Sequence, residues 1–144
     1  MAAIMLPSDM HFIERGWLSS NSLLLVGPDD TVLVDSGYHT HAEQTVALVR
    51  HALQGRPLTT LFNTHLHSDH CGGNAAIQSA WPSVRTWIPP GCSEAVRQWD
   101  EEALTYKPTG QTCPRFAFDD VLQPGSRVWA GGRPWEIHAA PGHD

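Results

Sequence analysis

The sequence predicts a single domain of the α/β class. Short apolar runs of strand length alternate along the chain with segments whose apolar residues fall at helical spacing, which is the pattern of strands joined by helices. The chain has 144 residues, the length of one ordinary domain, and 41% of them are hydrophobic, which is enough for a core. We therefore expect one folding unit over residues 1–144.

The first third of the chain predicts β structure. A short first strand is expected at residues 12–14, a second at Ser22–Val26 and a third, rich in β-branched residues, at Thr31–Val34. The residues between the last two, Gly-Pro-Asp-Asp at 27–30, favour a tight turn because glycine, proline and aspartate each adopt turn conformations readily. The second and third strands are therefore predicted to form a hairpin.

Three helices are predicted in the middle of the chain. The first begins at Thr40, which can cap it together with Glu43 in a capping box, and it ends before Gly55. The second spans Asn74–Ala80 after a pair of glycines, and the third spans residues 93–99. Each helix lies between predicted strands, which supports the α/β class.

Four more strands and one long loop complete the prediction. The strands are expected at residues 58–63, 84–88, 121–129 and 134–139. Residues 100–115 show no periodicity and contain two prolines and a glycine, so they are predicted to form a loop. Loops of this length inside a domain are uncommon unless they serve a function.

The strongest functional signal is the run His-Leu-His-Ser-Asp-His at residues 65–70, directly after a predicted strand. Imidazole and carboxylate groups are good ligands for zinc and similar divalent ions. In an extended segment, side chains two positions apart point the same way, so His65 and His67 can face one ion together. A bend at Ser68-Asp69 could turn Asp69 and His70 toward a second ion. Ligands of α/β sheets commonly bind beyond the carboxyl ends of strands, where this run lies.

The run resembles the His-x-His-x-Asp-His motif of the metallo-β-lactamase fold superfamily. Two further segments agree with that family in order and approximate spacing. Residues 32–37, Val-Leu-Val-Asp-Ser-Gly, resemble its strand that ends in Asp and Gly, and residues 140–143, Ala-Pro-Gly-His, resemble its next metal-binding motif. The resemblance implies an αβ/βα sandwich, of which this chain would supply the N-terminal half, one sheet with its helices.

The resemblance also implies a set of metal ligands. His65, His67 and His143 would hold a first ion, and Asp69 and His70 would hold part of a second. The cofactor implied is Zn²⁺, as one or two ions, with iron as the alternative. Asp69 would also be catalytic, because it would orient the metal-bound hydroxide or accept its proton.

Other residues near the run carry weaker signals. The resemblance implies that Asp35 orients the motif through hydrogen bonds, and an Asp that only stabilises the turn is an equally weighted alternative. Cys71 adjoins the run and could be a ligand or a redox-sensitive thiol, although a small buried residue is the favoured interpretation. Tyr106 and Lys107, in the long loop, are candidate substrate contacts; other substrate-binding residues stay unassigned.

The function implied is a metal-dependent hydrolase of the glyoxalase II or lactonase type. It would use a metal-bound hydroxide to cleave a thioester, a lactone or a β-lactam. One alternative is an iron-dependent sulfur dioxygenase of the same fold. The other is a catalytically incomplete metal-binding half-domain, because family members carry a later bridging Asp and a later His that this chain lacks.

Composition and charge narrow the partners. The net charge is −6 and Lys and Arg are not clustered, so no nucleic-acid partner is expected. The chain has neither a secretory signal nor an apolar run of membrane-spanning length, which predicts a cytoplasmic location without membrane contact. The expected partners are a small-molecule substrate and, because the inner sheet face would be apolar and uncovered, another copy of the chain or a complementary C-terminal half.

Overall fold

The computed structural model describes residues 5–142 and has a mixed six-stranded sheet at its centre. The sheet strands are β1 Met10–Ile13, β2 Ser22–Val26, β3 Thr31–Val34, β4 Thr60–Phe62, β5 Arg85–Ile88 and β6 Asp120–Val121, and they pair in that order. The helices are α1 Ala42–Leu53, α2 Ser68–Cys71, α3 Asn74–Ala80 and α4 Ser93–Gln98. This arrangement confirms the predicted α/β class.

The direction of the strands follows from their connections. β1, β2 and β3 are antiparallel neighbours joined by short links, which confirms the predicted hairpin. β3, β4, β5 and β6 are parallel, because helices return the chain between β3 and β5. In this register Val34 lies opposite Phe62, so β3 and β4 end side by side at one edge of the sheet.

Neighbouring residues of a strand supply two different cores, since their side chains point to opposite faces of the sheet. Leu24 and Leu33 pack against Val49 and Leu53 of α1 and Ile77 of α3. Leu25 of β2 and Val32 of β3 face the other side, where they pack against the last two strands of the chain. One face of the sheet is thus covered by helices and the other only in part.

The last two strands, β7 Arg127–Ala130 and β8 Arg133–Glu136, form a separate hairpin. Gly131 and Gly132 make its two-residue turn with φ of +61° and +75°, a conformation that suits glycine and the twist of a hairpin. A Cβ on Gly131 would lie 2.6 Å from the Cβ of Leu25, so the turn packs directly on β2. The hairpin is also held at this turn by a hydrogen bond from the Gly131 amide to Asp30, 3.0 Å.

The predicted start of the first helix is wrong. His39–His41 form a turn of 3₁₀ helix in which the amide of His41 donates to the carbonyl of Tyr38, 3.1 Å. The α-helix begins only at Ala42, and no side-chain hydrogen bond caps it. Thr40 lies inside the tighter turn and cannot occupy the capping position, so the predicted capping box with Glu43 does not form.

The predicted strand at residues 121–129 is also wrong, because it is two strands. β6 ends at Val121, and β7 begins at Arg127 in the separate hairpin. Between them Pro124 cannot donate a ladder hydrogen bond, and the amide of Ser126 donates to the carbonyl of Gln123, 3.1 Å, which closes a turn. The turn at residues 123–126, Gln-Pro-Gly-Ser, therefore separates two strands that belong to different sheets.

The long loop is confirmed as irregular, but it is not a solvent-exposed flap. Residues 100–119 form turns and irregular backbone. Four of their side chains pack with Ile88 and Val96 in a second core cluster; they are Leu104, Tyr106, Cys113 and Phe116. The segment therefore packs on β5 and α4, and its Tyr106 hydroxyl donates to the carbonyl of Leu66, just before α2. Across residues 5–142, no helix has both the length and the apolarity that crossing a bilayer requires.

Candidate metal centre

The histidine run lies at the edge where β3 and β4 end. Asp35 follows β3, and its amide donates to the carbonyl of Phe62 at the end of β4, 2.8 Å. Residues 63–67 leave β4 at the same edge and lead into α2. The two parallel strands thus bring Asp35 and the run together, at the place where α/β sheets commonly bind ligands.

The run changes conformation where a bend was predicted. His67 is extended, with φ −65° and ψ 146°, and α2 begins at the next residue. The amide of His70 then donates to the carbonyl of His67, 2.9 Å, which closes the first turn. This bend gathers the three imidazole rings: the ring centres of His65 and His67 lie 4.8 Å apart, and those of His65 and His70 lie 3.9 Å apart.

Asp69 and His143, the other two predicted ligands, are placed less closely. The carboxylate of Asp69 is 47% exposed, and its Oδ2 lies 3.6 Å from Nε2 of His70. It therefore borders the ring cluster from the solvent side. His143 lies outside the described residues.

Asp35 is a buried carboxylate with three hydrogen bonds. It accepts the Thr64 amide at 2.9 Å and the Thr64 hydroxyl at 2.7 Å, and it pairs with Nδ1 of His70 at 2.8 Å. A proton on Nδ1 of a neutral His70 leaves Nε2 free of hydrogen and able to bind a cation. Asp35 also adopts φ of +62°, a conformation that is rare outside glycine but tolerated by aspartate.

These contacts shift the pKa of His70. Desolvation by burial lowers the pKa of His70, but the hydrogen bond that its Nδ1 donates to Asp35 and the charges of Asp35 and Asp69 outweigh it, so the pKa is raised overall. The site therefore stabilises positive charge at its centre. That property favours a bound cation as much as it favours a proton.

A buried clamp of three polar side chains fastens the run to the sheet. Asn74 donates to Oδ1 of Asn63 at 2.6 Å, and its own Oδ1 accepts the Ser36 hydroxyl at 2.7 Å. The amide of Ser36 donates to the carbonyl of His70, 2.7 Å. All three side chains are fully buried. Sequence reasoning missed them, although an asparagine at a strand end and another at a helix start were visible signals.

Two glycines allow the run to lie this close to the sheet. A Cβ on Gly73 would overlap the carbonyl oxygen of Ser36, and one on Gly72 would lie 2.6 Å from the amide nitrogen of His39. Both glycines therefore lie where the backbones approach too closely for a side chain.

The side chain of Tyr106 lies beneath the run, so its prediction as a substrate contact is wrong. The residue is only 1% exposed, because the long loop folds it into the second core cluster. Its hydroxyl donates to the carbonyl of Leu66 at 2.8 Å and lies 3.1 Å from Sγ of Cys71. Burial raises its pKa far above the usual value, so the hydroxyl stays a donor. Lys107, the other candidate, is 72% exposed.

Cys71 is fully buried, as the favoured interpretation expected. Its Sγ lies 3.4 Å from the carbonyl oxygen of His67 and 3.9 Å from Sγ of Cys113. The contact with Cys113 and burial raise the pKa of Cys71, whereas the hydrogen bond from Cys71 lowers the pKa of Cys113.

The loop between β1 and β2 borders the run on the other side. The amide of Ser20 donates to the carbonyl of Asp69, 2.9 Å. The hydroxyl of Ser19 contacts Nδ1 of His41 at 2.8 Å. At the tip of the loop, Trp17 is 85% exposed and Leu18 is 50% exposed. Sequence reasoning did not connect this loop with the run, because the contact is made across the fold.

An apolar groove of about 760 Å³ opens beside the run. It lies between the second face of the sheet and the β7–β8 hairpin, and His65 and Leu66 of the run are among its lining residues. Its apolar lining includes Leu23, Leu25, Val34, Phe62, Val128 and Trp135. A hydrophobic ligand or a further piece of polypeptide would be accommodated by this surface.

The chemistry of the donor set fits a divalent ion of the zinc type. Three imidazoles and an adjacent carboxylate are ligands that zinc prefers, and the Asp35–His70 pair is the support that metal-binding histidines usually have. Within residues 5–142, no three His, Cys, Asp or Glu side chains are spaced to hold an ion by themselves. The first site that the sequence predicts consists of His65, His67 and His143. Its third histidine lies outside residues 5–142.

Comparisons with known proteins agree with this geometry. The family model described as the metallo-beta-lactamase superfamily matches residues 15–144. A hydroxyacylglutathione hydrolase of Thermosynechococcus vestitus is 35% identical over 89 residues, which cover 58% of this chain and 32% of that protein. Another, of Xanthomonas euvesicatoria pv. vesicatoria, is 29% identical over 122 residues, which cover 76% of this chain and 46% of that protein.

Solved structures of low sequence identity share the fold. The FEZ-1 metallo-beta-lactamase from Legionella gormanii superposes with a TM-score of 0.77 at 20% identity, over 94% of this chain and 51% of that one. A metallo-beta-lactamase from Cronobacter sakazakii gives 0.73 at 24% identity, over 94% and 51%. The chain thus spans about half of the solved chains and less than half of the two curated relatives. The expected fold, of which this chain supplies part, is confirmed.

Proposed function

This chain belongs to the metallo-beta-lactamase superfamily, and we propose that it carries the metal-binding side of the active site of a hydrolase for an ester-like bond. The observation that carries the proposal is the gathering of His65, His67 and His70 at one sheet edge, with Asp35 bound to the last of them. A polar loop with no function has no need of a buried carboxylate behind one of its histidines.

The proposed ligands follow the positions in the run. His65, His67 and His143 would hold a first zinc ion, and Asp69 and His70 would contribute to a second. A divalent ion bound there would lower the pKa of a water molecule toward neutrality and polarise the carbonyl under attack. Asp69 would accept the proton of the attacking water on its carboxylate, which is half exposed and borders the rings.

The other residues of the site position these groups. Asp35 holds the ring of His70 by Nδ1, and the buried Asn63–Asn74–Ser36 clamp holds the backbone of the same residue. Because these contacts are already formed, neither the ring nor the carbonyl has to be ordered when substrate binds. The site is therefore preorganised on this side.

A thioester is the substrate class that we propose first. Two relatives are named hydroxyacylglutathione hydrolases, and an acylated glutathione is a thioester. The apolar groove, which His65 helps to line, would accommodate an acyl chain or another organic group next to the reacting carbonyl. Lactones and β-lactams are the other ester-like bonds to test.

Hydrolysis of a substrate panel tests the proposal. We expect the zinc-loaded protein, in a longer form that includes the segments following this chain, to hydrolyse an acylglutathione faster than a homoserine lactone or a β-lactam. His67→Ala should abolish this activity, whereas His51→Ala, an exposed histidine on α1, should leave it unchanged. We also expect residues 1–144 alone to react far more slowly than the longer form. Equal turnover by both, or by His67→Ala, would contradict the proposal.

Metal analysis separates the two metals considered. We expect zinc, at one or two ions per chain, after purification without added metal. Iron at one ion per chain, with consumption of oxygen in the presence of a persulfide, would instead favour the sulfur dioxygenase alternative.

A further inference from the structure

Two cysteines that are distant in sequence lie side by side beneath the run. Cys71 ends α2, directly after His70, and Cys113 belongs to the irregular segment at residues 111–118. Their Sγ atoms are 3.9 Å apart, and the residues are 0% and 3% exposed. The chain thus pairs two thiols that the function proposed above does not use.

The separation describes two reduced thiols in contact. A disulfide bond is about 2.05 Å long, so the sulfur atoms would have to approach by roughly 2 Å to form one. Rotation of the two side chains and a small shift of one backbone segment could supply that approach. Cys113 is on the segment that is free of helix and strand hydrogen bonds, so the shift is easier there than in α2.

We propose that Cys71 and Cys113 form a reversible disulfide when the protein meets a peroxide. The Cys113 sulfur attacks one oxygen of hydrogen peroxide, the O–O bond breaks, and a sulfenic acid and one water form. The Cys71 sulfur then attacks that sulfur, the S–O bond breaks, and a second water leaves with the thiol proton. In sum, two thiols are oxidised by two electrons and one peroxide is reduced to two waters.

Cys113 reacts first because it is the more accessible of the two. Its neighbour Thr112 is held by a long hydrogen bond to the hydroxyl of Tyr38, 3.5 Å, and Cys113 lies between exposed residues on both sides. Local opening of this segment would admit a small oxidant without unfolding the sheet. Cys71, enclosed by α2 and Tyr106, is suited to resolve the sulfenic acid.

The disulfide would disturb the turn that carries the proposed ligands. Sγ of Cys71 now lies 3.4 Å from the carbonyl oxygen of His67 and 3.1 Å from the hydroxyl of Tyr106, which itself binds the carbonyl of Leu66. Drawing that sulfur toward Cys113 removes these contacts and pulls the end of α2, one residue after His70. This consequence rests on the proposed metal centre, whereas the disulfide does not.

Peptide mapping tests the disulfide. Trypsin cleaves after lysine and arginine, but not before proline. The three cysteines therefore fall on separate tryptic peptides, residues 51–85, 86–97 and 98–115. The reduced protein is treated with hydrogen peroxide, alkylated with N-ethylmaleimide under denaturing conditions and digested. We expect peptides 51–85 and 98–115 to be joined, two hydrogens lighter than their sum, and to separate with dithiothreitol. Cys92→Ser should retain this product, and Cys113→Ser and Cys71→Ser should each lose it.

Two results would overturn the proposal. One is full alkylation of Cys71 and Cys113 after peroxide treatment of the folded protein. The other is cross-linking of Cys92 to either cysteine as readily as these two link to each other. Circular dichroism of each variant checks that the comparison is made between folded proteins.

Competition for zinc with a chromophoric chelator tests the consequence separately. We expect the oxidised protein to bind zinc about tenfold or more weakly than the reduced one, and dithiothreitol to restore the affinity. Cys113→Ser should bind zinc equally before and after peroxide. If the disulfide forms and zinc affinity does not change, the disturbance of the turn is contradicted. If even the reduced protein binds no zinc, the proposed metal centre fails while the disulfide stands.

Discussion

Asp35 shows how one residue can support a site that it does not occupy. Its carboxylate is buried and accepts hydrogen bonds from Thr64 and His70, so its negative charge is compensated only if those donors stay in place. The positive φ of Asp35 turns the chain sharply at the end of β3 and aims the carboxylate at the run. This backbone conformation costs free energy in a residue other than glycine, so its presence indicates that the side chain has a role.

Replacing this carboxylate should weaken metal binding more than it weakens the fold. Asp35→Asn keeps the size and an acceptor for the Thr64 amide, but it removes the negative charge behind His70. We expect zinc affinity to fall about 10- to 100-fold, measured by chelator competition, since such supporting groups commonly have effects of this size. Asp119→Asn is the matched control, because that carboxylate accepts the Thr86 amide away from the run. Equal affinities for Asp35→Asn and the original protein would exclude the supporting role.

Breaking the buried Asn63–Asn74–Ser36 clamp should lower the free energy of unfolding, whereas replacing Asp35 should mainly lower zinc affinity. Asn74→Ala leaves the side-chain amide of Asn63 and the hydroxyl of Ser36 buried with fewer partners. We expect the free energy of unfolding in urea to fall by about 2–4 kcal/mol, since an unsatisfied buried polar group costs about 1–3 kcal/mol. Gln98→Ala, which removes an exposed hydrogen bond to Glu94, should change it by less than about 0.5 kcal/mol. Similar values for the two variants would contradict this account.

At the scale of elements, α2 illustrates a helix that cannot form alone. It has four residues, too few to be stable in isolation, since the first turn of a helix costs more than it returns. Hydrogen bonds from other parts of the chain hold it in place. The amide of Ser36 donates to the carbonyl of His70, and the hydroxyl of Tyr106 donates to the carbonyl of Leu66 just before the helix. The geometry of the proposed ligands therefore depends on Ser36, which follows β3, and on Tyr106 of the long loop.

The β7–β8 hairpin offers a sharper test of packing between elements. Gly131→Ala places a methyl group 2.6 Å from the Cβ of Leu25 and strains a backbone with φ of +61°. We expect it to lower the free energy of unfolding by about 2–4 kcal/mol, from overpacking and strain together. Two controls separate these causes. Gly55→Ala has a positive φ with open space around it, so it reports strain alone, and Gly91→Ala has neither. A loss no larger than that of Gly55→Ala would rule out tight packing on β2.

For the whole molecule, the second face of the sheet is the surface on which we expect a partner to bind. The hairpin covers this face in part, and an apolar groove remains beside it. The chain spans about half of the solved metallo-beta-lactamases that share its fold. We therefore propose that a complementary half covers this groove in the assembled protein, and that the chain alone pairs with a second copy.

Light scattering coupled to size exclusion tests this pairing. We expect residues 1–144 alone to show a mass above that of the 15.8 kDa monomer, because burial of the groove removes apolar surface from water. Phe62→Glu, on the groove, should restore the monomer. Trp129→Glu, which replaces a tryptophan that is 68% exposed, should leave the assembly unchanged. A monomer for the unaltered chain would refute the pairing.

The sequence by itself determined the features that rest on short-range patterns. Strands such as Ser22–Val26 and Thr31–Val34 were predictable because short apolar runs, β-branched residues and the turn between them act locally. The run at residues 65–70 was predictable because its donor atoms are consecutive, and with residues 32–37 it identified the family. These signals do not require knowledge of what packs against them.

Only the tertiary structure decided the features that depend on distant partners. Tyr106 reads as a loop residue until the fold buries it under Leu66, 40 residues earlier in the chain. Asn63 and Asn74 carry no functional signal in the sequence, because the clamp forms only when the fold brings Ser36, two residues after β3, to Asn74. The physical reason is the same in each case. Burial and hydrogen bonding depend on which residues lie next to each other in space, and the sequence does not show which distant residues the fold brings together.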